Sequence, residues 1–301
     1  MKCSTFASFS NILIIKFTIV MLVLKNKQEV TDFIQSLKYK GLTIGFVPTM
    51  GALHSGHLSL IKKSIEDNQY TICSIFVNPT QFNNLMDLEK YPRTEDSDIE
   101  KLNAVGCDAV YLPKIEDIYP KGTEIDPIDL KGLNSVMEGA SRPGHFEGVA
   151  TVVKRLFLQT QPTNAYFGEK DFQQLQVIKQ MVKDLNLPIN IIGIPIKREE
   201  NGLAMSSRNI RLSQDYINKS TILYKSLIQA KELVKCHNNP KEITQIIKKL
   251  FNNSDLKLEY FNIADEESLL TPEEFLQGTH YRAFIAAYAG DVRLIDNLRI
   301  L

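Results

Sequence analysis

Short apolar runs alternate with amphipathic stretches from residue 42 to residue 196, and this constrains the fold more than any other feature of the chain. Leu42–Val47 is apolar and runs into Pro48, and Leu58, Leu60, Ile61 and Ile65 then recur at helical spacing. Thr71–Val77 is rich in β-branched residues and is stopped by Asn78 and Pro79, as a second strand would be. Ile99, Leu102 and Val105 mark a helix before the short strand Ala109–Leu112. Val149, Val152, Val153 and Leu156 mark another before Ala165–Phe167, and Leu175, Ile178, Met181 and Val182 a further one before Asn190–Ile196. About five such alternations predict a parallel sheet with helices on its faces. Such sheets bind ligands beyond the carboxyl ends of their strands, so the residues just after each strand are where chemistry is expected.

After about residue 200 the pattern changes. Thr221–Lys235 and Pro240–Phe251 read as helices, and Leu256–Ile263, Tyr281–Ala289 and Val292–Asn297 as strands of a small α+β unit. Gly290-Asp291 is a hairpin signal between the last two strands. A boundary near Ile196–Arg198 agrees with the two domains that 301 residues suggest. The 35 basic and 35 acidic side chains cancel, which argues against nucleic acid as the main partner but leaves room for a local basic pocket. A hydrophobic share of 44% excludes global disorder. Cys3, Cys73, Cys107 and Cys236 form no C-x-x-C pair, so reduced thiols are expected rather than a zinc site or a disulfide framework.

Four segments carry chemistry. Met50-Gly51-Ala52-Leu53-His54-Ser55-Gly56-His57 lies at the first strand-to-helix turn. A helix start offers free N–H groups and a positive dipole end, both suited to phosphate, and glycine permits close backbone approach. Imidazoles there can donate to phosphate oxygens and stabilise developing charge. No third ligand stands near for zinc. Asn78–Phe82 places the amides of Asn78 and Gln81 after the second strand, where they can bind hydroxyls and carboxylates without adding charge. Gly168-Glu169-Lys170-Asp171 follows another strand; Lys170 offers a point charge, and Asp171 either caps the next helix or holds a ribose hydroxyl. Gln174 lies about one turn further on and faces the same way. Met205-Ser206-Ser207-Arg208 puts hydroxyls and a guanidinium in a loop at the domain boundary, suited to closing over a triphosphate.

The H-x-G-H turn and the Met-Ser-Ser-Arg loop together resemble the nucleotidyltransferase superfamily. Within it, PTMGALHSGH, FVNPTQF, YPRT, SRPGHFEGVATVV, FGEKDFQQL and GLAMSSRN, in this order, resemble the pantothenate synthetase (pantoate–β-alanine ligase) family from about residue 21 to the C-terminus. The resemblance implies a Rossmann-like, doubly wound α/β domain over residues 21–197 and a smaller C-terminal α+β lid over 198–301. It implies ATP-dependent condensation of (R)-pantoate with β-alanine through a pantoyl adenylate, releasing AMP and pyrophosphate, with Mg²⁺ assisting. The enzyme would supply position and charge stabilisation rather than a covalent nucleophile. Met50 to His57 would form the nucleotide turn, with His54 and His57 on the phosphates and His57 as the proton donor. Gly168, Glu169, Lys170, Asp171, Met205, Ser206, Ser207 and Arg208 would bind ATP; Lys197 would meet adenine through its backbone. His57, His54, Lys170 and Arg208 would carry catalysis. Gln81 would hold pantoate and border β-alanine, Gln174 would hold pantoate, and Asn78 would assist. Asp98 is the candidate magnesium neighbour, directly or through water. Tyr91, Arg93, Arg142 and His145 lie in matching motifs. The zero net charge would conceal a basic phosphate pocket built from Lys170, Arg208 and the two histidines.

Two other readings are a nucleotidyltransferase that stops at nucleotide transfer and a nucleotide-binding regulator. The amide-bearing Asn78–Phe82 segment and FGEKDFQQL favour the ligase. The apolar stretch within residues 1–24 fits a secretory signal or membrane anchor poorly, since Lys16 interrupts it. The resemblance implies that Met21–Leu24 begins the first strand and that residues 1–20 are a non-native or disordered extension. A cytoplasmic homodimer acting on small molecules, with no membrane or nucleic-acid partner, is the expectation that follows.

Overall fold

The computed structural model describes residues 21–83, 85–237 and 239–301, so the expectation for residues 1–20 lies outside the described residues. Among the described residues, nine strands form two sheets: β1 Leu22–Leu24, β2 Ile44–Thr49, β3 Tyr70–Ile75, β4 Ala109–Tyr111, β5 Asn164–Gly168, β6 Asn190–Ile194, β7 Lys257–Asp265, β8 Tyr281–Ala289 and β9 Val292–Arg299. The first sheet has the order β1-β4-β3-β2-β5-β6 and every pair in it is parallel.

Alternate residues of these strands enter different cores. Phe46, Ile72, Ala109, Tyr111, Ala165 and Phe167 join one cluster, while Val47, Cys73, Val110 and Tyr166 join the other. Both faces are therefore covered, which is why the strands read as unbroken apolar runs rather than as alternating ones. Helix Ser55–Asp67 packs on β2, β3 and β5. Helix His145–Thr160 packs on β2 and against helices Lys27–Tyr39 and Phe172–Asp184. The order of strands reverses at β2, with β3 on one side and β5 on the other. That is the switch point of a doubly wound sheet, and it opens a crevice at the carboxyl ends.

The first strand of the nucleotide turn starts at Ile44 rather than Leu42, because the Leu42 N–H closes the preceding helix by donating to the Leu37 carbonyl. The short helices Leu85–Lys90, Ile115–Ile118, Met137–Ser141 and Gln214–Lys219 have no counterpart in the sequence pattern, since none is long enough to show a period.

The second sheet, β7-β8-β9, is antiparallel. One face packs with helices Thr221–Leu233 and Pro240–Phe251 in a core of its own. Phe284 and Ala264, on the other face, join the core of the first unit. The hairpin between β8 and β9 turns at Gly290, as the sequence predicts. Among the described residues, no helix is long and apolar enough to cross a membrane.

Candidate active site

β2 ends at Thr49, whose hydroxyl donates to the Ser74 carbonyl and accepts from the Gly51 N–H at 3.2 Å. Gly51 has φ +81°, and a Cβ there would lie 3.0 Å from Ile75 and 3.1 Å from Asp98, so only glycine turns the chain here. Ala52 follows at φ 49°. Asp98 holds this strained turn from below: Oδ2 accepts from the Ala52 N–H at 2.8 Å and Oδ1 from the Leu53 N–H at 2.7 Å. Thr94 donates to Asp98 at 3.1 Å, and Lys101 donates to the Leu53 carbonyl at 2.9 Å. Asp98 is fully buried. Asp98, expected as a magnesium neighbour, spends both oxygens on backbone N–H groups and shapes the nucleotide turn. Among the described residues, no group of three or more His, Cys, Asp or Glu converges to hold a metal.

His54 is the N-cap of helix Ser55–Asp67. Its Nδ1 accepts from the Gly56 N–H at 3.1 Å, and His57 Nδ1 accepts from the His54 N–H at 3.4 Å. This reciprocal arrangement is a capping box built from imidazoles. It also explains the glycine between them, because a Cβ on Gly56 would lie 2.8 Å from the His54 ring. An Nδ1 that accepts leaves the hydrogen of the neutral ring on Nε2. Burial, with Lys170 next in effect, lowers His54 from 6.5 to about 4. Burial, then His54 and Lys170, lowers His57 to about 3. Both rings are neutral near pH 7 and offer Nε2–H dipoles rather than cations. In this state the net positive charge of the pocket comes from lysine and arginine.

The amide wall is built around Gln81. Its Nε2 lies 3.1 Å from Met50 Sδ, and its Oε1 accepts from Asn78 Nδ2 at 3.1 Å. Asn78 is buried, donates also to the Gly148 carbonyl and accepts from the Tyr119 hydroxyl at 2.6 Å. It lines the cleft while its own polar atoms brace Gln81. Gly148 lets helix His145–Thr160 approach, since a Cβ there would lie 2.5 Å from the Thr80 carbonyl. The Gln81 carbonyl accepts from His145 Nδ1 at 2.8 Å and from Arg142 at 3.3 Å. His145 is thus the opposite tautomer, with Nε2 accepting from Arg142 at 3.1 Å. Burial, then the Arg142 charge, lowers it to about 4.

One cleft of about 210 Å³ at the carboxyl ends of β2 and β5 brings together most of the expected residues. Met50, His54, Gly56, His57, Asn78, Gln81, Gly168, Lys170, Asp171, Gln174, Lys197 and Met205–Arg208 all line it. Lys197 contributes a carbonyl that accepts from the Met205 N–H at 3.0 Å. Ser207 donates to the Ala52 carbonyl at 3.0 Å and ties its loop to the nucleotide turn. Arg208 pairs with Asp87 at 3.0 Å. Gly51, Ala52 and Leu53 shape the turn without lining the cleft, and Leu53 is a core residue. Ser55 turns to Met205 Sδ at 2.8 Å. Glu169 does not line the cleft; its carboxylate lies 3.5 Å from Arg282 of β8. Arg93 caps backbone carbonyls of Leu88, Glu89 and Tyr91 outside the cleft, whereas Tyr91, Arg142 and His145 line it. Val149, Val152, Val153 and Leu156 form an apolar wall of the cleft that sequence reasoning missed, because their helical spacing is also that of a core face.

The family model described as Pantoate-beta-alanine ligase matches residues 22–299. The chain belongs to the pantoate–beta-alanine ligase family. It is a ligase of pantothenate biosynthesis, as its family is. It is 46% identical over 282 residues to a pantothenate synthetase of Flavobacterium psychrophilum, covering 93% of this chain and 100% of the relative. It is 47% identical over 281 residues to that of Christiangramia forsetii, covering 93% and 99%. Its structure is similar to the crystal structure of pantothenate synthetase from Thermus thermophilus, with a TM-score of 0.85, 38% identity and coverage of 93% and 99%. A pantoate-beta-alanine ligase from Francisella tularensis, crystallised with β,γ-ATP and β-alanine, is similar at a TM-score of 0.76 and 40% identity, covering 93% and 98%.

Proposed function

We propose that this chain makes pantothenate in two steps within the one cleft. A carboxylate oxygen of pantoate attacks the α-phosphorus of ATP, the bond to the β-phosphate breaks, and pyrophosphate leaves. The uncharged amine of β-alanine then attacks the acyl carbon of the pantoyl adenylate, AMP departs, and the amine loses a proton. The observation that carries this reading is the pair of neutral, helix-capping histidines in the same cleft as Lys170 and the Gln81 and Gln174 amides.

The Nε2–H groups of His54 and His57, with the helix N-terminus behind them, stabilise charge on the phosphates without adding a second cation beside Lys170. Neutral His57 acts as a hydrogen-bond donor. Lys170 and Arg208 supply net positive charge, and Arg208 exchanges Asp87 for phosphate as the Met205–Arg208 loop closes. Asp171 takes the ribose, and the Lys197 backbone borders adenine. Gln81 and Gln174 hold pantoate, with β-alanine beside Gln81. Mg²⁺ entering with ATP would be held mainly by phosphate oxygens and water and would neutralise phosphate charge.

Residues 21–197 bind nucleotide and pantoate in this reading, and 198–301 form the lid. The enzyme works in the cytoplasm as a homodimer; sedimentation that shows a stable monomer at micromolar concentration would contradict the dimer. The test of function is AMP release, which must require both pantoate and β-alanine. Pyrophosphate release from ATP and pantoate alone, with no AMP on adding β-alanine, would restrict the chain to nucleotidyl transfer.

A further inference from the structure

The loop Gly168–Asp171 carries Lys170, yet it does little to hold itself. Asp171 makes no side-chain cap bond to helix Phe172–Asp184. Its backbone is gripped instead from the C-terminal unit. Asn297, on β9 and 1% exposed, donates from Nδ2 to the Glu169 carbonyl at 2.9 Å and to the Lys170 carbonyl at 2.8 Å. Asn297 Oδ1 accepts from Arg282 Nη1 at 2.6 Å. Arg282 is itself fixed: Nε donates to Glu266 at 2.8 Å, and the guanidinium lies 3.9 Å from the centre of the Phe172 ring. The orientation of the Asn297 amide follows from chemistry, since arginine can only donate and the two carbonyls can only accept.

We propose that Asn297 is a positioning residue for the ATP loop, so that the C-terminal unit sets the place of Lys170 even before any lid closes. The inference rests on the reading of Gly168–Asp171 as the ATP loop. Two buried N–H donors converge on successive carbonyls either side of the Lys170 peptide unit, and together they tie the loop to β9. Losing them frees the lysine backbone to shift, and a displacement of about 1 Å at a site of this kind costs on the order of 100-fold in rate.

The test compares Asn297→Asp, Asn297→Ser and the control Tyr260→Phe in steady-state assays, with circular dichroism to confirm folding. Asn297→Asp keeps the shape and the oxygen for Arg282 but turns a second oxygen toward the two carbonyls. Asn297→Ser is too short to reach them. Tyr260→Phe removes a different cross-seam bond, from the Tyr260 hydroxyl to Glu138 at 2.6 Å, and leaves the loop alone. Both Asn297 variants are expected to raise the KM for ATP roughly 10-fold or more, with the KM for β-alanine unmoved. Tyr260→Phe is expected to leave both constants within about 2-fold. A folded Asn297→Asp enzyme with an unchanged KM for ATP overturns the proposal, as does an equal rise in Tyr260→Phe. If neither Asn297 variant folds, Arg282→Lys withdraws the planar donor from Asn297 Oδ1 and is judged by the same criterion. Lys170→Ala separates the two layers. If it leaves the KM for ATP unchanged, the reading of the loop fails; if it raises that constant and Asn297→Asp does not, only the positioning role fails.

Discussion

The cleft and the seam between the two units both bury polar groups, and they treat charge in opposite ways. In the cleft, burial wins: His54, His57 and His145 are held neutral at about 4, 3 and 4. In the seam, pairing wins. Burial opposes ionisation of Glu138, but the Arg293 guanidinium forks onto it with two bonds of 2.7 Å, and the carboxyl ends below its ordinary range. Glu266 is likewise shared between Arg282 and Arg299 and is lowered despite burial. The cleft thus keeps the Nε2–H donors of His54 and His57 for an anionic ligand, while the seam satisfies its ions internally and fixes how the units meet.

The comparison is broken most directly by removing one cation from each side. Lys170→Ala in the cleft is expected to lower kcat/KM on the order of 10²–10³-fold, because a preorganised charge is lost. Its melting temperature should barely move, since the ion pair it forfeits is the loose one with Asp171 at 3.8 Å. Arg293→Ala in the seam should do the reverse. It leaves Glu138 with only the Tyr260 hydroxyl and, 3.8 Å away, Arg142, and costs about 3 kcal/mol of stability, read by denaturant unfolding, with kcat of the folded fraction nearly intact. A fall in activity without a loss of stability would show that the seam is part of the site.

Asp98→Asn lies between the two in size. One carboxylate oxygen becomes an N–H₂ facing a backbone N–H of the Ala52–Leu53 turn, an unsatisfied arrangement that costs about 1–3 kcal/mol. Stability should fall, and the KM for ATP should rise with it as the turn loosens. If Asp98 were instead a metal ligand, the variant would recover with raised magnesium, and that recovery would refute its turn-holding role.

The gentlest test is pH. The three cleft histidines bind protons at 6.5 when unfolded but only near 4 or 3 when folded. The unfolded state therefore gains protons first as pH falls, and stability declines from about pH 6.5 downward. Glu138, lowered from 4.5, contributes stability that is present above 4.5 and is lost only as pH falls below it. Melting temperatures between pH 6.5 and 4.5 should thus report mainly the three histidines, offset in part by buried Asp296, whose raised folded pKa adds stability as pH falls, and His57→Gln should flatten the decline. An undiminished slope in that variant would mean that His57 already titrates near its ordinary value.

Much of the parallel sheet is legible in the order of residues. The strands that become β2 to β6 are each a run of apolar or β-branched residues, because both faces of the sheet are covered. The H-x-G-H turn is legible because the glycine and the capping positions are local requirements. The role of Asp98 is not, because its partners are 46 and 45 residues away, and nothing at Asp98 itself distinguishes a turn-holding carboxylate from a metal ligand. Glu169 escapes a local reading for the same reason: its partner Arg282 lies on another sheet. The tautomers of His54 and His145 are opposite, and only the hydrogen bonds at each Nδ1 reveal it.

What the sequence determined by itself is what depends on neighbours a few residues away: strand and helix periods, caps, glycine turns and the order of the six motifs that mark the family. What the tertiary structure decided is what depends on burial and on distant partners. It made the two nucleotide-turn histidines neutral, assigned Asp98 to the turn, and placed Asn297 of the second sheet on the backbone of Lys170. Desolvation and long-range hydrogen bonds are properties of the packed chain, so no local pattern encodes them.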